Sequence, residues 1–204
     1  MTTFVLDTFT GSAGNLTGHT GETGATWTMD VVIGSGIASD MVLSGSGELI
    51  RAAATVGTSA AVPSGTVTGD FFIEMNAHWV SPNPGVRDGQ IMLYDAGNNE
   101  VAEIGSNGNF AAIAGVGSTG FTPADSVDYL IRIESMSGVW TLKVDGATLL
   151  TGTPTSAVQP LSLALYDRNG DSMTVVKDYT IQSLGPPPPT PDFWTGFVAS
   201  HEVP

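Results

Sequence analysis

The stretch GDFFIEMNAHWV, residues 69 to 80, changes character at every step. Phe71, Ile73, Met75, Ala77 and Trp79 fall on one side of an extended chain; Phe72, Glu74, Asn76, His78 and Val80 fall on the other. A helix would scatter both sets around its circumference, so the segment reads as a strand with one face in a core and the other partly wet.

The same period of two recurs on either side. QIMLYDAGNNEVAEIG, residues 90 to 105, reads as two strands around Gly97-Asn98-Asn99, residues that tolerate the left-handed conformations of tight turns. NFAAIAGV follows as a short strand. VDYLIRIESMSGVWTLKVDG, residues 127 to 146, gives a hairpin with Val127, Tyr129, Ile131 and Ile133 inward on one arm and Trp140, Leu142 and Val144 sharing a face on the other. LSLALYDRNGDSMTVVKDYTIQSL, residues 161 to 184, reads as a last hairpin turning at Arg168-Asn169-Gly170. With weaker strands near residues 26 to 33 and 47 to 54, the count reaches about ten or eleven. The arrangement expected of so many short strands without intervening helices is an all-β, two-sheet antiparallel sandwich.

Composition agrees. Across 204 residues there are 26 Gly and 12 Pro, and only 13% of residues are charged. Six Lys and Arg face twenty Asp and Glu, for a net charge of −14, which argues against a nucleic-acid partner and against anionic membrane surfaces. Cysteine is absent, which removes disulfides, zinc thiolates and thiol catalysis. The first residues, MTTFVLD, have neither the basic start nor the apolar run of a secretion signal, so if the protein leaves its cell, lysis or a particle is expected to carry it.

After Leu184 the chain reads GPPPPTPDFWTGFVASHEVP. Consecutive prolines cannot join a sheet and form a stiff extended spacer, so the sandwich is expected over residues 1–185 and a proline-rich arm over 186–204. Phe193, Trp194, Phe197 and Val198 are too many large apolar side chains for so short a segment to bury, and are expected to dock either on this domain or, the preferred reading, on a neighbouring subunit or a particle surface.

Near the start, Asp7-x-Phe9-x-Gly11, then Gly14-x-Leu16, His19, Gly24 and Trp27, resembles the N-terminal entry of concanavalin A-like, or laminin G-like, jelly-roll domains of bacteriophage tail, spike and decoration proteins. Tyr129-x-Ile131-x-Ile133 with Trp140-Thr-Leu-Lys-Val-Asp-Gly146 resembles that family's penultimate hairpin, and Lys177-Asp178-Tyr179 its closing strand. The resemblance spans residues 4 to 184. It implies that the first and last strands lie side by side, and that the long Gly/Thr stretch between them and Trp27 is tied at both ends, with His19 a hydrogen-bonded packing residue. Related jelly rolls hold calcium near that junction, where Asp7 and Asp178 would fall; calcium is the one cofactor the resemblance suggests. Asp167, Asn169 and Asp171 also offer oxygens at alternate positions, although tight turns favour the same residues.

Catalysis and sugar binding remain to be weighed. Retaining glucanases of this fold carry paired acids on one strand, Glu-x-Asp-x-x-Glu, and that pattern is absent; by parity Glu100 and Glu103 fall on opposite faces. A lyase trio of His78, Tyr94 and Arg132 can be written down without evidence that the three converge. For a sugar, Asn76, His78, Tyr94, Arg132 and Tyr166 are the polar-face candidates, each equally at home on a solvated sheet. The leading reading is a non-enzymatic virion protein of a bacteriophage, extracellular on the particle, assembled with capsid or tail proteins and with copies of itself, and touching host glycans. The second is a carbohydrate-binding module of a secreted glycan-degrading system; a polysaccharide lyase or hydrolase comes third.

Overall fold

The computed structural model describes residues 1–30, 41–51, 57–64, 67, 69–80, 89–105, 110–167 and 174–185. These residues form seventeen strands in two antiparallel sheets, and no helix among them is long and apolar enough to cross a membrane. The larger sheet runs β14 (Ala147–Gly152), β13 (Val139–Val144), β12 (Tyr129–Met136), β7 (Phe71–Trp79), β16 (Thr174–Val176), β5 (Leu49–Arg51), β4 (Met41–Leu43) and β2 (Gly14–Asn15). Beside β16, β7 also pairs with β17 (Tyr179–Ser183), which carries β1 (Thr3–Asp7) on its other edge. The smaller sheet runs β11 (Gly117–Gly120), β10 (Phe110–Ile113), β9 (Glu100–Gly105), β8 (Gly89–Tyr94), β15 (Ser162–Asp167), β6 (Gly57–Pro63) and β3 (Trp27–Asp30).

The all-β sandwich expected from alternation is what the chain adopts. On β7, Ile73, Met75, Ala77 and Trp79 are wholly buried and Phe71 nearly so, each large side chain contributing about 1.5–3 kcal/mol of burial. Ile91, Leu93, Leu163 and Leu165 meet them from the smaller sheet. On the wet face Phe72 is also buried, because the Arg132 guanidinium lies 3.7 Å from its ring centroid.

The ends close as the resemblance implied: Val5 pairs with Ile181 and Asp7 with Tyr179. Between Asp7 and Trp27 the long entry loop folds back on itself, with Gly18 N–H donating to Trp27 C=O and Trp27 N–H to His19 C=O, both at 2.9 Å. Gly21 is required there by close approach, since a Cβ would stand 2.6 Å from the Leu6 carbonyl oxygen.

Three expectations need correction. Residues 161–184 are not a hairpin: β15 belongs to the smaller sheet and β16 to the larger, so the chain crosses between layers. The alternation on either side of the crossing is real, but both strands are buried and pair with other partners. Val127 is not inward; it precedes β12 and is exposed. Among the described residues the strands number seventeen and not ten or eleven: short β2, β4 and β11 fall outside the expected strands, residues 174–183 divide into β16 and β17, and β6 and β14, built largely of small residues and threonine, lack the bulky alternation that marks a strand. The turn at Arg168-Asn169-Gly170 and the arm over 186–204, with Phe193, Trp194, Phe197 and Val198, lie outside the described residues.

Candidate functional site

The residues singled out for a sugar separate onto two surfaces. Asn76, His78 and Arg132 lie on the outward face of the larger sheet, where each is engaged. Asn76 donates from N and Nδ2 to Asp178 at 2.7 and 2.5 Å, and His78 Nδ1 lies 2.9 Å from Asp128, which also accepts from Lys177 Nζ at 2.7 Å. The Lys177 and His78 partners hold the Asp128 carboxyl below the usual carboxylate range against its burial. Arg132 bonds Glu74 at 3.0 Å and Glu134 at 2.8 Å, and Lys143 joins Glu134 at 2.7 Å. In this polar lattice Arg132, Lys143 and Lys177 each meet a carboxylate.

Tyr94 and Tyr166 stand on the outward face of the smaller sheet, packed on Ala60, Met92 and Ala164. Two outward faces of a sandwich point apart, so the trio His78, Tyr94 and Arg132 is not assembled. Asp7 and Asp178 also fail to meet. Asp7 is buried and accepts from Trp27 Nε1 at 2.6 Å and Phe9 N at 2.7 Å, with His19 Nε2 at 3.1 Å, whereas Asp178, on the outward face, accepts from Asn76. Both carboxylates are occupied by N–H donors, so this pair does not fit a calcium ion. Among the described residues no group of three or more His, Asp or Glu could hold a metal; Asn169 and Asp171 lie outside them.

The feature that parity missed is on β9. Tyr94 pairs with Glu100 and Leu93 with Ala102, so Val101 is an extra residue, a β-bulge. Val101 and Ala102 both enter the core, and the bulge returns Glu103 to the same face as Glu100. The expectation of opposite faces is therefore wrong. The two carboxyls are hydrogen-bonded to each other, and burial holds Glu100 above the usual glutamate range, partly offset by that bond. Burial, with the Glu100 and Glu103 charges behind it, pushes the Tyr94 hydroxyl up to about 12.

The register lays this face out as three rows across the strands. Ser162, Tyr94 and Glu100 form one; Ala60, Ala164, Met92, Glu103 and Ala112 the middle; Thr58, Tyr166, Gln90 and Gly105 the last. The middle row is mostly alanine, so it is a shallow trough, with Tyr94 and Tyr166 on opposite sides and about 13 Å apart along the strand direction, four residues at 3.3 Å each. Gln90 is 4% exposed, and its Nε2 has no hydrogen-bond partner. The orphan donors Trp79 Nε1, Thr174 Oγ1 and Tyr179 Oη belong to core-facing positions, but Gln90 faces the trough. An unmet buried donor costs about 1–3 kcal/mol. Gly105 keeps space beside it: a Cβ there would lie 2.8 Å from Gln90 Cα.

The sequence matches no protein-family model and no curated protein. Solved structures do resemble it. The fold is a jelly roll of the concanavalin A-like kind. The carbohydrate-binding module CBM66 from Bacillus subtilis superposes with a TM-score of 0.53 at 13% identity, over 77% of this chain and 95% of that one. LamAcat from Zobellia galactanivorans gives 0.57 at 11%, over 89% and 98%. The metal-free carbohydrate recognition domain of Emp46p gives 0.55 at 10%, over 76% and 87%. At these identities the likeness establishes the concanavalin A-like jelly roll and leaves the ligand to the chain's own residues.

Proposed function

We propose that this chain is a glycan-binding module and that the glycan lies across the outward face of the smaller sheet. The observation that carries the reading is one trough with two tyrosine rings on its sides, a carboxyl pair along one edge and the unpartnered Gln90 amide in its floor. Rings of this kind stack on the apolar faces of sugars while amides and carboxylates bond the hydroxyls. The proteins of similar fold named above, a carbohydrate-binding module and a carbohydrate recognition domain among them, support the same class.

The module binds without cleaving. A retaining pair of carboxyls stands about 5–5.5 Å apart to admit the sugar's reacting carbon, and an inverting pair farther still. Glu100 interacts directly with Glu103, and this reading takes the two as acceptors for sugar hydroxyls and not as acid and nucleophile. Placement of the module on a bacteriophage particle draws on the arm over 186–204 and on the family resemblance, while carriage by a secreted glycan-degrading protein draws on the same trough; the second has the firmer support.

A glycan array followed by calorimetry on the best ligand tests the reading. Tyr94→Ala and Tyr166→Ala are each expected to weaken binding about tenfold. Arg132→Ala, on the other sheet, is expected to leave it unchanged. Absence of any glycan ligand, or loss only with Arg132→Ala, would overturn the assignment. New reducing ends from a bound polysaccharide would make the chain a hydrolase instead.

A further inference from the structure

Gln90 has an uncommon setting for an amide. It lies on the outward face of the smaller sheet, yet it is 4% exposed and its Nε2 has no hydrogen-bond partner. Its neighbour along β8 on that face is Met92, whose sulfur accepts from the Tyr94 hydroxyl at 3.6 Å. Across the strands Gln90 stands between Tyr166 of β15 and Gly105 of β9. Tyr166 packs on Ala60, Met92 and Ala164, and Gly105 presents no side chain, so a thioether, a phenol ring and bare backbone border the donor. A Cβ on Gly105 would stand 3.2 Å from Gln90 Cγ, so the missing side chain leaves a cradle directly beside the amide.

We propose that the trough recognises an N-acetylated sugar, with Gln90 Nε2 donating to the acetamido carbonyl oxygen and Met92 receiving the acetyl methyl. This rests on the glycan-binding reading above. Stacking on Tyr94 and Tyr166 uses the body of the sugar and is indifferent to what the ring carries, so the choice of substituent falls to Gln90 and its neighbours. A hydroxyl and a carbonyl oxygen can both accept from the amide, but they differ in what else they bring. A hydroxyl carries its own hydrogen, which needs a further acceptor among largely apolar neighbours. The acetamido carbonyl carries none, and the methyl beside it lies on a thioether, a side chain flexible enough to fit small apolar groups. The acetamido N–H is nearer the sugar ring than the carbonyl and methyl are, so it stays on the solvent side as those two enter.

The test compares matched probes. Chitotetraose and cellotetraose share their length and linkage and differ at each unit only in an acetamido against a hydroxyl group, so calorimetry on the pair isolates that group. Chitotetraose is expected to bind at least about tenfold more tightly. Gln90→Met, which keeps the length of the side chain and removes the donor, is expected to narrow that ratio. A second measurement needs no variant: N-acetylglucosamine is expected to displace a bound array ligand at concentrations where glucose does not. Equal or weaker binding of chitotetraose, a ratio that Gln90→Met leaves unmoved, or equal displacement by the two monosaccharides would overturn the N-acetyl selectivity while leaving glycan binding intact. Should neither tetrasaccharide bind, the array decides: best ligands that bear an acetamido group would support the proposal, and best ligands without one would overturn it. Binding of no array glycan would overturn both readings.

Discussion

Trp27 donates its indole N–H to the buried carboxylate of Asp7 at 2.6 Å, so one hydrogen bond joins the two ends of the entry loop. Phe9 N–H and His19 share the same carboxylate, and Phe9 and Tyr179 pack on the indole at 6.0 and 5.4 Å between centroids. Asp7→Ala leaves these donors without an acceptor and is expected to cost about 3 kcal/mol in urea unfolding. His19→Ala, which removes one partly exposed bond, is expected to cost about 1 kcal/mol. Equal losses from the two would show that Asp7 does not pin the loop.

Glu100 makes stability depend on pH in a direction unusual for a carboxylate. Its folded pKa is raised by burial, so its favourable contribution is complete below the ordinary glutamate range and is lost as pH rises through the folded value. Urea midpoints of the wild-type protein relative to Glu100→Gln are therefore expected to hold steady in acid and decline towards neutral pH. A difference that stays flat over that range would remove the buried pair from the account.

Asp95 behaves in the opposite sense. Burial opposes its charge, but Ser156, the Asn99 backbone and side chain and the Val158 backbone together bring it down to about 2. Its contribution is present above the ordinary aspartate range and is lost as pH falls towards that value. Asp95→Asn is expected to be less stable than wild type at neutral pH, and the gap to close in strong acid. A gap independent of pH would assign Asp95 a packing role only.

Gly105→Ala tests the space beside Gln90. The new Cβ would meet the Gly89 carbonyl oxygen at 2.3 Å, a backbone atom that cannot swing aside. The strands β8 and β9 must shift, and both a lower melting temperature and weaker glycan binding are expected. Unchanged binding with lower stability would detach Gln90 from the ligand.

Much of this was legible in the chain. Alternation in residues 71–79 identifies a buried strand because bulky residues mark every second position, and Gly97-Asn98-Asn99 identifies a turn because Asn98 takes φ 63°. β14 left a signal that alternation did not use: Asp145-Gly146, with φ 49° and 80°, forms the two-residue link expected between paired strands. The carboxyl pair was hidden for a different reason. Parity assumes an unbroken pleat, and Val101 breaks it with no local mark that distinguishes it from any other strand valine. The free Gln90 amide could not be foreseen at all, because an absent partner is a property of three neighbouring strands and not of any one segment.

Thr2 and Ser183 are linked by two hydrogen bonds, Thr2 N–H to the Ser183 hydroxyl at 2.7 Å and Ser183 N–H to the Thr2 carbonyl at 2.9 Å. Entry to and exit from the sandwich therefore share one doorway. Joining them with a few flexible residues and reopening the chain at Asn98 would give a permuted protein that still folds, and the same adjacency lets the whole sandwich be spliced into a host protein's loop without prising that loop apart.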